Sequence, residues 1–233
     1  MEEKTEYQSI DLKNLLGRPL NDIEKKYAPP IIYYKGKITL PLPCARVSII
    51  GTRQPTKEGL LAAEEVSKIL IENNVIIVSG LAKGIDSVGH RTAIKNGGKT
   101  IAVLGTPLNK TYPRENIELQ EEIMKNHLVV SQYQVGYKTT PKDFALRNRT
   151  MALISDASVI VEAGDGSGTL YQGWETIRLG RPLFICKQVV HNPKLKWPKE
   201  MIEYGAVELD DPLDILEVLP SNVKMPELFQ QSR

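Results

Sequence analysis

Residues 75–86 read VIIVSGLAKGID. The run opens on four β-branched apolar residues with no polar alternation, the mark of a strand covered on both faces. Ser79 and Gly80 close it, and Leu81, Ala82, Lys83 and Gly84 turn the chain. Ile85 and Asp86 then open a stretch with helical spacing. Strand, glycine turn and helix form the repeating unit of a parallel sheet. Outward from this point the unit recurs. Strand-length apolar runs lie at 46–51, 99–105, 128–132, 157–163 and 181–186, and helix-length stretches at 57–72, 86–96, 115–126, 142–155 and 168–179. In 57–72, Ala62, Val66, Ile69 and Leu70 follow the spacing of one buried helical stripe. Asn73 with Asn74, Asn96 with Gly97 and Gly98, and Gly180 stand where helices end.

The pattern predicts an α/β fold over residues 45–210, an extended Rossmann-like, doubly wound, mostly parallel sheet with helices on both faces. Residues 1–44 read as an N-terminal extension packing on that core. Short helices are expected at 11–16 and 22–27, with a turn, a strand and a turn over 27–36. Residues 211–233 read as a last helix, at 211–219, and a frayed tail after Pro220.

Composition narrows the function classes. The 233 residues are 41% hydrophobic and 25% charged, ordinary for a globular chain. No apolar run approaches the ~18 residues of a membrane helix. The opening MEEKTEYQ is acidic and polar, unlike a signal or transit peptide. A cytoplasmic protein is expected, with Cys44 and Cys186 as reduced thiols. The net charge of +2 hides an asymmetry, because residues 200–233 hold eight acids and two bases. That leaves +8 on the first 199 residues, a basic body suited to an anionic ligand.

The chemistry gathers at the strand ends, where open α/β sheets bind ligands. The first core strand ends in Gly51, Thr52 and Arg53. The second ends in Ser79, Gly80, Lys83 and Gly84, and the fifth runs into a glycine turn with Ser167, Gly168 and Thr169. Glycines let backbone N–H groups approach an anion, each following helix aims its N-terminus there, and Arg53 and Lys83 add charge. Arg147, Asn148 and Arg149 open another helix. The two arginines are two residues apart and cannot share a helix face, so one points to a ligand while the other pairs internally. No loop reads GxxxxGK[ST], no GxGxxG follows the first strand, and no metal-ligand spacing is present. No cofactor and no metal are expected.

Read together, Gly51-Thr52-Arg53, the SGLAKGID block, His90, Tyr112-Pro113, Arg147-Asn148-Arg149 and Ser167-Gly168-Thr169 resemble the DprA/Smf family of DNA-processing proteins. The resemblance covers residues 27–190. It implies a non-catalytic protein that grips the backbone of single-stranded DNA in a basic pocket, and that loads a RecA-type recombinase and dimerises. Site residues carried over are Gly51, Thr52 and Arg53, the Lys83 loop with Ser79, Gly80, Lys83 and Gly84, and Arg147, Asn148 and Arg149; Ser167, Gly168 and Thr169 are added from the anion site above, with Asp86, His90 and Glu162 as expected supports. Lys57, Lys110 and Arg114 are further candidate phosphate contacts, and Tyr112, Tyr133 and Tyr137 are candidates either for stacking rings or for core packing. With aromatics at 6%, little sequence preference is expected.

The chain departs from the family pattern in several places. Residues 1–26 and 191–233 are too short for the family's usual flanking domains. Ala145 replaces a proline, Gln132 a glutamate, and Leu170-Tyr171-Gln172-Gly173 stands where Leu-Ile-Thr-Ala is usual. A rival reading keeps the cleft but fills it with a small nucleotide, as sensor or phosphoribohydrolase. Gln172 stands where such hydrolases carry a glutamate, and a carboxamide cannot act as a general base. In the binding reading Asp86 orients its glycine-rich loop or caps its helix, with an internal pair to His90, and Glu162 receives a bond from the 147–149 turn.

Overall fold

The computed structural model describes residues 7–43 and 45–220. Nine strands form one sheet: β1 (Gln8–Ile10), β2 (Ile32–Gly36), β3 (Arg46–Gly51), β4 (Ile76–Ser79), β5 (Thr100–Leu104), β6 (Leu128–Ser131), β7 (Ala157–Glu162), β8 (Leu183–Cys186) and β9 (Val207–Leu209). Their order across the sheet is β1-β2-β6-β5-β4-β3-β7-β8-β9. Every neighbouring pair from β6 to β9 is parallel. Ten α-helices accompany them among the described residues: α1 (Leu12–Leu16), α2 (Asp22–Tyr27), α3 (Lys57–Glu72), α4 (Ile85–Lys95), α5 (Ile117–Asn126), α6 (Pro141–Ile154), α7 (Gly168–Arg178), α8 (Lys187–Val190), α9 (Trp197–Glu203) and α10 (Asp214–Glu217).

Alternation along each strand divides the core into two faces. Ile50, Ile76, Val78, Ile101, Val103 and Ile160 pack with α1, α6 and α9. Ile49, Ile77 and Val159 face the other way, onto Ala63, Val66 and Leu70 of α3 and onto α4. Ala102, Leu104 and Val129 extend that second layer under α5. Burial on both faces explains why the strands show no polar alternation in sequence.

The expected core is present, and the structure corrects its margins. The 1–44 extension does more than pack on the core, because β1 and β2 prolong the sheet antiparallel to one another, with β2 antiparallel to β6. Its α2 is fixed by an Asn21–Glu24 capping box. Glu24 is buried and takes Arg18 at 2.6 and 2.8 Å and Arg181 at 2.6 Å, tying the extension to the residues before β8. The buried stripe of α3 is rotated from the expected one. Ala63 replaces Ala62, and Ile69 is only half-buried. The helix expected at 211–219 is the single turn α10, and α8, α9 and β9 intervene before it. Cys186 is a buried free thiol whose pKa burial pushes up to about 12. Cys44 and the tail expected beyond Pro220 lie outside the described residues, and no described helix is long and apolar enough to cross a membrane.

The order around β3 positions the site. From β3 the chain crosses to β4, β5 and β6 on one side, then returns through α6 to place β7 on the other. The carboxyl ends of β3 and β7 therefore open at a topological switch point, where such sheets form their ligand crevice.

Candidate nucleic-acid interface

The loop after β4 is held from below. Asp86 accepts from the backbone N–H groups of Gly80 (3.1 Å) and Ala82 (3.3 Å). From the side, the buried Asn116 donates to the carbonyls of Leu81 (2.9 Å) and Ala82 (3.3 Å) and to the Ser87 hydroxyl (3.0 Å). Leu81 is left-handed, with φ +58°, and fully buried, so these bonds hold a backbone conformation that costs free energy at a non-glycine residue. Lys83 is thereby presented at the rim, where it ion-pairs with Glu115.

Arg147 projects from α6 across this loop. Its Nη1 donates to the carbonyls of Gly80 (2.5 Å) and Val103 (2.6 Å), and its Nε to Asn148 Oδ1 (3.0 Å). Gly80 is required there, since a Cβ would clash with the guanidinium. Nη2 has no hydrogen-bond partner among the described residues. Burial lowers the Arg147 pKa, the Asp86 carboxylate opposes that, and the charge of Arg53 lowers it further. Burial in turn raises the Asp86 pKa, against Arg147 and the loop N–H groups. Arg53 is exposed and makes no ion pair or hydrogen bond among the described residues. Two arginines that repel each other at the end of a sheet form a site short of negative charge.

Three adjoining clefts run along this edge. One of about 840 Å³ opens at the β3/β7 switch, between Gly51–Gln54 and the glycine turn 166–169. A second, of about 640 Å³, is lined by Arg53, Lys83, Tyr112, Arg114, Phe144 and Arg147. Arg53, Ala82, Phe144 and Arg147 belong to both, so the two form one groove. A third, of about 670 Å³, shares Tyr112, Arg114 and Phe144 with the second and adds Lys110. The Tyr112 and Phe144 rings lie 5.1 Å apart on the wall between them.

The structure brings Gly51, Thr52, Arg53, Gly80, Lys83, Arg147, Asn148, Ser167, Gly168 and Thr169 to the groove. Thr169 is tied to the end of β3 through the Gly51 carbonyl (3.0 Å), and Asn148 to the glycine turn through the Gly168 carbonyl (3.2 Å). Three expected contacts are absent from its lining. Arg149 turns away, pairing with the buried Glu175 at 2.9 Å and covering the Tyr27 ring at 4.7 Å. Ser79 is fully buried and donates to the Ile49 carbonyl (2.6 Å). Gly84, at φ +76°, fits against the Thr52 carbonyl, where a Cβ has no room. Lys57 also lies outside the three linings.

The supporting residues are partly reassigned. Asp86 orients the loop as expected. His90 does not pair with it; Nδ1 meets Thr100 Oγ1 at 2.6 Å. Thr100 donates its one proton to the Ile77 carbonyl, so Nδ1 of His90 carries the hydrogen. Burial, then the charges of His127, Arg147 and Arg91, lower the His90 pKa to about 3, which keeps it neutral. Glu162 takes no arginine from α6; it accepts from the Thr56 N–H and hydroxyl, both at 3.0 Å, and so fixes the start of α3. Tyr133 is buried in the core, whereas Tyr112 is exposed at the groove. Phe144, Met151, Tyr171 and Gln172 line the groove without having been singled out as site residues. Helical spacing places Phe144, Arg147 and Met151 on one face of α6, a signal present in the sequence. Among the described residues no group of His, Cys, Asp or Glu is arranged to hold a metal.

Comparison with known proteins identifies the family and the fold. The sequence model of the family described as DNA recombination-mediator protein A matches residues 12–220. The DNA processing protein DprA of Streptococcus pneumoniae is 37% identical over 196 residues, 84% of this chain and 69% of that protein. The X-ray structure of S. pneumoniae DprA superposes with a TM-score of 0.78 at 31% identity, covering 94% of this chain and 77% of that one. A Helicobacter pylori DprA structure, described for its single-stranded DNA binding mode, superposes with a TM-score of 0.75 at 25% identity over 93% of this chain and 97% of that one. With the family model spanning nearly all of the described residues and the same fold in both structures, this chain belongs to the DprA/Smf family of DNA-processing proteins.

Proposed function

We propose that this protein binds single-stranded DNA along the groove at the carboxyl ends of β7, β3, β4 and β5, with no chemical step. The observation that carries the reading is the convergence of Arg53, Lys83, Arg114 and Arg147 on one groove that holds few opposing carboxylates. Among the described residues nothing holds Arg53 from forking onto a phosphate, and Arg147 offers one unpaired edge. Lys83 exchanges Glu115 for phosphate. Tyr112 and Phe144 supply ring faces on which a splayed base can stack. The H. pylori relative's reported binding of single-stranded DNA supports the same ligand class here.

The two carboxylates nearest the strand ends are already engaged, Asp86 by loop N–H groups and Glu162 by Thr56. That favours binding over hydrolysis. Handover of the strand to a RecA-type recombinase by a homodimer is the wider role that family membership favours. Competition binding tests the central reading: labelled oligo-dT is displaced by unlabelled single strands and poorly by duplex of equal length. Equal displacement by duplex, or steady release of nucleotide product, overturns it.

A further inference from the structure

Tyr171 and Gln172 fall where the family usually carries an aliphatic residue and a threonine, and phosphate binding gives neither a task. Both line the larger cleft, at its β3/β7 end. Gln172 is 1% exposed, and its buried Nε2 has no hydrogen-bond partner among the described residues. Several polar groups of the same cleft are engaged. Thr169 is bonded to Gly51, Asn148 to Gly168, and the Gln172 backbone carbonyl accepts from Thr176 at 3.0 Å. An unpaired buried amide in a cleft wall is costly unless a ligand satisfies it. Tyr171 stands at the rim, 37% exposed, with its hydroxyl accepting from Arg149 at 3.3 Å, which anchors the ring.

The cleft is two-ended. Arg147 is fixed over β4 and β5 by the Gly80 and Val103 carbonyls, while Thr169 holds the other end over β3. The β3/β7 end offers Ile50, Met151, Tyr171 and Gln172, an apolar floor with one ring and one carboxamide. Arg53 and Arg147 line the same cleft as this ring and carboxamide, a combination that matches the phosphate and the base of a nucleotide. A carboxamide presents a donor beside an acceptor, which complements the N6/N7 edge of adenine and clashes with the two acceptors of guanine's N7/O6 edge.

We propose that the β3/β7 end of the cleft is a nucleobase pocket, in which Tyr171 gives the stacking face and a small rotation of the Gln172 side chain lets its carboxamide read an adenine edge. The proposal rests on the single-strand reading above and adds to it a base preference that the low aromatic content did not suggest.

The test compares oligo-dA with oligo-7-deaza-dA of equal length, which have the same charge and similar ring faces and differ in N7. The protein is expected to bind oligo-dA about fivefold more tightly, the worth of one hydrogen bond. Gln172→Met and Gln172→Thr should bind both tracts equally, with salt dependence unchanged; the threonine variant covers the case in which methionine disturbs packing. Tyr171→Ala should weaken both tracts together. Equal affinity for the two tracts in the unaltered protein, or a preference that persists in both Gln172 variants, overturns the pocket while leaving strand binding intact. Failure to bind any of the strands overturns the strand reading and the pocket with it.

Discussion

Arg53 stands two residues beyond the end of β3 with nothing among the described residues to neutralise it, and the neighbouring Arg147 is compensated by Asp86. Removing Arg53 takes away one charge-assisted fork without leaving a buried group unpaired. Arg53→Ala is expected to weaken single-strand binding at least about tenfold at unchanged melting temperature, while Lys57→Ala, outside the groove, should change affinity by less than about twofold. Anisotropy titrations of the two variants check this. Asp86 has the opposite character. It is 6% exposed, carries two loop N–H groups and faces Arg147, so Asp86→Ala leaves a buried cation uncompensated. The expected cost is about 3 kcal/mol or more by denaturant unfolding. A loss of affinity with full stability would instead place Asp86 in direct contact with ligand. Much of this was legible from residue type and position, because glycine turns and basic residues after parallel strands have few other uses. The fate of Arg149 was not. Spacing says that only one of the two arginines can face the groove, and it cannot say which. The buried Glu175 that claims Arg149 lies 26 residues further on, and nothing local marks it as a partner.

At the scale of elements, α2 shows how the extension is held to the core. Burial raises the Glu24 pKa, but Arg18, the Asn21 N–H and Arg181 outweigh it and lower it from 4.5 to about 2. A carboxylate with a depressed folded-state pKa stabilises the fold fully above its unfolded value, and that contribution is lost as pH falls. Acidification from pH 4.5 towards about 2 should therefore weaken docking of α2 against the segment before β8. Hydrogen exchange over residues 18–28 should rise through this window, and Glu24→Gln should raise it at neutral pH. No change in the variant would mean that apolar packing alone holds the extension. The parallel core was readable because strands buried on both faces leave unbroken Val and Ile runs. Of the edge strands only β2 was legible, as the short strand expected within 27–36; β1 and β9 have three residues each, too few to show a period. The stripe on α3 was misjudged by a rotation of one residue, since alanines at 62 and 63 serve either face and only the packing against β3 and β4 selects Ala63.

Across the whole molecule, the order of β3 and β7 brings loops far apart in sequence to one edge. The residues after β3, β4 and β7 and those on α6 share the groove although they span residues 51–172. A modest overall charge thus hides a concentrated basic site, with Arg53, Lys83, Lys110, Arg114 and Arg147 along one edge. The measurement that tests this most directly is the salt dependence of oligo-dT binding. Each phosphate neutralised on a single strand contributes about −0.7 to the slope of log affinity against log salt. With most of the five basic residues engaged, a slope of about −3 is predicted, reduced by about 0.7 in Arg53→Ala. A slope near zero, or one that Arg53→Ala leaves unchanged, would contradict the claim that this groove grips the DNA backbone.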